Sequence, residues 1–204
     1  SSITVDDIRA GLWDYATVEV SLVNWADVSM GTLALTKGKL GRIQDGRASF
    51  VAELRGLSQH LQQPIGRLYM PACDADLGDS RCGVDLNGSP GLTVTGTITS
   101  VASKRSFADT GRGEADGYFD GGKITWLTGN NADLAMEVKT FLNSGGAFTL
   151  QLPMPFTVQV GDTYSVHAGC DKTFATCGSK FSNAVNYQGF PHLPGLDRLV
   201  SGGL

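Results

Sequence analysis

The sequence predicts a mainly β, β-rich α+β chain with one or two short helices. Three observations carry that expectation. Glycine is abundant, 27 of 204 residues, about 13% against an average near 7%, which favours turns over a helical bundle. Short runs of alternating, β-branched residues recur along the chain. Helical spacing is present in only one stretch of any length. Charge excludes other classes: 16 basic and 20 acidic residues give a net charge of −4, and only 18% of residues are charged. Such a chain has no cationic field for nucleic acid, and no apolar run is long enough to span a membrane.

The elements follow in order. Thr4 with Asp7 three residues on is an N-cap signature, so 5–10 is a short helix that Gly11 ends. Thr17–Asn24 alternates as a strand. Gly31–Gly38 is a second strand leading into a glycine turn, and Leu40–Gln44 a third, closed by Asp45-Gly46. Trp13 and Trp25 read as packing residues. Phe50, Val51, Leu54, Leu57 and Leu61 fall at helical spacing behind Ser49, which predicts a helix over 50–63, with Pro64 just past its end. Leu92–Val101 is a strand and Ser106–Gly117 a polar loop. Lys123–Leu127, Leu134–Leu142, Ala147–Leu152, Phe156–Val160 and Thr163–His167 are further strands, with a turn at Gly129–Asn131. The segment 180–195 is dense in Asn, Gly, Pro and aromatics; Phe181, Tyr187 and Phe190 give it apolar surface to bury, so it is irregular but ordered. Only Ser201–Leu204 reads as frayed.

Four cysteines stand apart from this pattern. Cys73 and Cys82 are separated by eight residues, Cys170 and Cys177 by six. Each pair reads Cys-Asp, a short loop, then Cys-Gly. The spacing is a poor match to zinc knuckles and to the compact ferredoxin run. A metal or cluster shared by both loops, two local disulfides and free core thiols all remain compatible with it. Each loop leaves the end of a regular element.

Other chemistry is weakly signalled. Cys170 or Cys177 with His192 and Asn186 has the composition of a thiol protease, but no nucleophile-elbow, zincin or phosphate-loop motif is present. His60 reads as an ordinary solvated or core histidine, while His167 and His192 flank a region with a simpler use as a ligand loop. Asp74, Asp76 and Asp79 lack the continuation a calcium loop requires. Glu114 and Asp116 read as solvated charges.

Several segments together resemble a known family. They are Ala52–Leu57, Tyr69–Cys73, Leu77–Cys82, Ile124–Asn131, Glu137–Lys139, Gly169–Cys177, Phe181–Asn183 and above all Asn186–Gly195. They resemble the baseplate hub, or tail-tip, proteins of siphophages and gene transfer agents, relatives of the tail-tip protein of lambda-type phages. The likeness covers nearly the whole chain. It implies the later two-thirds of a hub protein, in keeping with a start at Ser1 rather than Met.

That resemblance implies a structural virion part, not an enzyme. The expected protein forms a ring, typically a homotrimer, at the tail tip. It joins the distal tail protein to a large central-fibre protein and lines a channel through which DNA passes as cargo, after assembly in the bacterial cytoplasm. It also implies a 4Fe–4S cluster held by Cys73, Cys82, Cys170 and Cys177, with Arg81, Lys172 and Lys180 as compensating charges. Two β subdomains are then expected, 1–90 with the first cysteine loop and a barrel-like 91–204 with the second, bridged by the four-cysteine site. Zinc or disulfides at the cysteines, or a cell-wall thiol hydrolase, are the alternatives.

Overall fold

The computed structural model describes residues 3–45, 49–63, 65–89 and 91–193. The Gly46 half of the Asp45-Gly46 turn, Pro64, Pro194-Gly195 and residues 201–204, expected to fray, lie outside them. Among the described residues, secondary structure is mainly strand, with three short α-helices and two 3₁₀ turns. The chain divides into two compact units, 1–66 and 67–204.

In the first unit, helix α1 (Val5–Arg9) starts where the Thr4 hydroxyl accepts from the Asp7 amide at 3.2 Å. Strands β1 (Thr17–Val23), β2 (Thr32–Asp45) and β3 (Phe50–Arg55) form one antiparallel sheet in that order. Two expectations are corrected here. Gly38 is no turn; β2 runs straight through it as a single strand of 14 residues. Its glycine is required by close packing, since a Cβ there would lie 2.5 Å from the Arg55 carbonyl oxygen. The helix expected over 50–63 is strand β3 followed by one turn, α2 (Ser58–Leu61). Phe50 and Val51 suit a strand as well as a helix, and β2 offers a pairing edge, so tertiary pairing overrides the helical spacing. Trp25, expected to pack, is 90% exposed.

The second unit carries a seven-stranded antiparallel sheet. Its strands are β4 (Thr93–Thr97), β5 (Ser100–Val101), β6 (Ser106–Ala108), β7 (Lys123–Trp126), β8 (Ala135–Leu142), β9 (Ala147–Leu150) and β10 (Thr163–His167). The order is β4-β10-β7-β8-β9-β6-β5. The two ends of that order are consecutive in the chain. Between them, the Ile98 amide bonds Asp162 at 3.0 Å and the Thr99 amide bonds Ala108 at 2.9 Å. One stretch of chain therefore changes partner midway and joins both ends of the sheet, as in a barrel. Ile124, Trp126, Tyr164, Val166, Phe148 and Leu150 alternate into its interior. Val138 and Phe141 both point inward despite their odd spacing, because the register shifts between Val138 and Thr140.

The expected strand Phe156–Val160 is irregular. Pro153 and Pro155 flank it without N–H groups. The buried Asn131 takes the place of a partner strand: it donates to the Phe156 carbonyl at 3.2 Å and accepts from the Phe156 amide at 3.1 Å. The polar loop expected over Ser106–Gly117 begins with β6. Glu114 and Asp116 are not simply solvated: Asp116 accepts from the Asn143 amide at 2.7 Å and Glu114 pairs with Arg112. Helix α3 (Phe174–Ser179) and a 3₁₀ turn at Ala184–Asn186 complete the unit. No helix among the described residues is long and apolar enough to cross a membrane.

Candidate functional site: two cysteine loops on one cavity

All four cysteines belong to the second unit. The boundary falls before the first cysteine loop, not near residue 90, so the cysteines do not bridge two subdomains. Both loops pack onto the barrel unit instead.

Local polar bonds fix each loop. In the first, Asp79 accepts from the Cys82 amide at 2.6 Å and the Arg81 amide at 2.9 Å. Asp74 accepts a fork from Arg67 at 2.9 and 2.8 Å, and Arg81 adds a bond at 3.2 Å. In the second, Asp171 accepts from the Thr173 amide at 2.9 Å and the Thr176 hydroxyl at 2.7 Å. Thr173 caps α3, which carries Cys177. Gly169 lies so close to the Asp120 carbonyl that no Cβ fits there, which presses the strand end before Cys170 against the barrel. The aspartates after Cys73 and Cys170 thus hold their loops, Asp74 through arginine and Asp171 through an Asx turn.

The loops are also bonded to each other. The Cys73 amide donates to the Lys172 carbonyl at 2.9 Å, and the Lys172 ammonium reaches the Ala75 carbonyl. Asn183 donates to the Cys82 carbonyl at 2.6 Å, while the Cys177 thiol donates to the Asn183 carbonyl at 3.3 Å. The Tyr187 hydroxyl contacts the Lys172 carbonyl at 3.0 Å and the Pro71 carbonyl. The segment after α3 is ordered as expected: Tyr187 packs edge-on to Phe174 and Phe190 onto Tyr69.

All four thiols line one cavity with Leu77, Val84 and Phe181. All four cysteines are free thiols. The first cysteine of each pair is half-buried and the second buried. Burial pushes the Cys177 thiol up, and charge on Cys170, Cys82 and Cys73 pushes it further. Burial also raises Cys170, with Lys172 opposing. Thiols that oppose one another's ionisation become thiolates together only around added positive charge.

Among the described residues, no group of three or more His, Cys, Asp or Glu side chains is arranged to hold a metal ion. Four cysteines are the thiolate count that a 4Fe–4S cluster would require. The cavity, about 10 Å³, has room for about one water, so it has to widen to take one. Of the three expected compensating charges, only Lys172 lines it. Arg81 is committed to Asp74, and Lys180 to the Tyr118 and Gly169 carbonyls. Arg67, Asp79, Asn183 and Tyr187 are the supports that the cysteine spacing did not single out. Asn186 lines the cavity but bonds Asn183; His192 is exposed and outside it, so the thiol-protease constellation is not assembled.

The description "Baseplate hub protein, N-terminal attachment domain" matches residues 1–85, and "Phage conserved hypothetical protein BR0599" matches 117–197. A chain of the solved structure "Virion of native gene transfer agent (GTA) particle" is 36% identical. That match covers 98% of this chain and 70% of the other, with a TM-score of 0.82. No curated protein matches. Together, fold and matches define a virion tail protein of the phage type. The chain belongs to the baseplate hub proteins of phages and gene transfer agents.

Proposed function

We propose that the protein is a structural hub at the tail tip of a phage-like particle, with its four cysteines holding a 4Fe–4S cluster. In this reading it forms a trimeric ring, joins the distal tail protein to a central-fibre protein, and surrounds the channel for outgoing DNA. The match across 98% of the chain to a virion chain supports the hub role. The apolar side chains exposed on the β1–β3 sheet supply surface for the neighbouring proteins. The location of all four free thiols on one cavity carries the cluster reading. Assembly in a reducing bacterial cytoplasm favours a cluster over disulfides.

A cluster there is a staple. Its binding energy is folding energy for two loops about ninety residues apart that otherwise meet through a few hydrogen bonds. Protein purified without oxygen should be brown, with about four irons and four sulfides per chain. Changing any one cysteine to Ser should bleach it, lower its stability and impair tail assembly. Colourless protein with four titratable thiols that still builds normal tails would sink the cluster; zinc in place of iron would keep the hub and replace its metal.

A further inference from the structure

A second cavity, of about 680 Å³, lies beside the cysteine site. It sits between the first cysteine loop, through Asp76 and Leu77, and the outer side of the barrel, through Lys123, Glu137 and His167. The two cavities share three wall residues: Leu77, Cys170 and Lys172. Cys73, Cys82 and Cys177 line the inner cavity alone.

We infer that this outer pocket is the route by which iron, and any thiol-directed reagent, reaches Cys170, the one cysteine that the two cavities share. The iron half of the inference rests on the cluster reading; the thiol half does not. The shared wall is suited to opening. The Lys172 backbone is fixed, because its carbonyl accepts from Cys73 and Tyr187. Among the described residues its ammonium is held by the Ala75 carbonyl and by Asp76 at 3.7 Å, and the Asp76 side chain is 96% exposed. The long side chain can swing aside while the loops stay in register. Cys170 is half-buried, not sealed, and lines the outer pocket.

The test fills the pocket from an exposed position on its floor. Apo protein and its Lys123→Trp variant are treated with iodoacetamide at mildly alkaline pH, and each cysteine is followed by peptide mass spectrometry. The variant should alkylate Cys170 about tenfold more slowly while Cys73 stays within about twofold. Thr125→Trp, which fills the same pocket from its neighbour, should do the same. Reconstitution with ferrous iron and sulfide should slow in parallel. An unchanged Cys170 rate in either variant overturns the route, as does equal slowing of Cys73. If Cys170 is shielded as expected but no iron is ever taken up, the route stands for thiols and the cluster reading falls. If brown protein forms at the same rate with the pocket filled, the cluster stands and the route falls.

Discussion

The two units of the chain use the same β alphabet and reach opposite outcomes. In 67–204 the sheet closes on itself and seals an aromatic core around Phe148, which stacks on Phe107 and meets Phe119, Phe141 and Tyr164 at tilted or edge-on angles. In 1–66 no described residue is buried. Leu33 is 63% and Val51 69% exposed, although both lie in paired strands. Alternation marks which side of a strand is apolar; it does not say what covers that side. Closure supplies the cover in the barrel. A three-stranded sheet has no second layer of its own and is marginal when left so.

The sharpest way to break this contrast is to remove the centre of the barrel. Phe148→Ala leaves a cavity among four aromatic rings and should cost about 3–5 kcal/mol, read from denaturant unfolding of the second unit. A loss under about 1 kcal/mol would mean that the barrel core is as loosely held as the first sheet.

Next in size is the joint between barrel and cysteine loop. Gly169→Ala drives a methyl group into the Asp120 carbonyl. It should cost about 1–3 kcal/mol and expose Cys170 to alkylation, because the strand end and the loop have to shift together. Unchanged Cys170 labelling would show that the loop is held by its own bonds alone.

How much of this was legible follows from the same contrast. Most strands of the barrel, though not β6, the cap at Thr4 and the paired cysteine loops were readable, because each is written in local spacing. The helix expected over 50–63 was not strand-like on its own terms; β3 exists because β2 lies beside it. The strand expected at Phe156–Val160 lost its ladder to one asparagine 25 residues away. The site was half legible. The thiols announce themselves, but Arg67 bonds the Gln188 carbonyl from 121 residues away and Asn183 the Cys82 carbonyl from 101.

A smaller effect separates the loops from the barrel by acid. The Arg67 bond holds the Asp74 carboxyl below the usual range, and the Cys82 amide does so for Asp79. Burial opposes the Asp171 charge, but bonds from Thr173 and Thr176 outweigh it and keep that carboxyl low. Carboxyls lowered on folding stabilise the fold above their unfolded value, about 4, and lose that contribution as pH falls through the folded one. Hydrogen exchange in the cysteine loops should therefore rise below about pH 4 before the barrel amides lose protection. Simultaneous loss in both would mean that the loops and barrel unfold as one.

The smallest expected change is the most telling about the first unit. Leu33→Ala removes a side chain that already meets solvent, so the isolated chain should lose under about 0.5 kcal/mol. If the exposed face of the β1–β3 sheet is covered by a neighbour in the particle, the same change should reduce incorporation into tails far more than it alters unfolding. A stability loss comparable to that of Phe148→Ala would show that Leu33 is buried within the isolated chain. Normal incorporation with normal stability would show that this face is left bare in the particle, and the contact surface would then have to lie elsewhere on the hub.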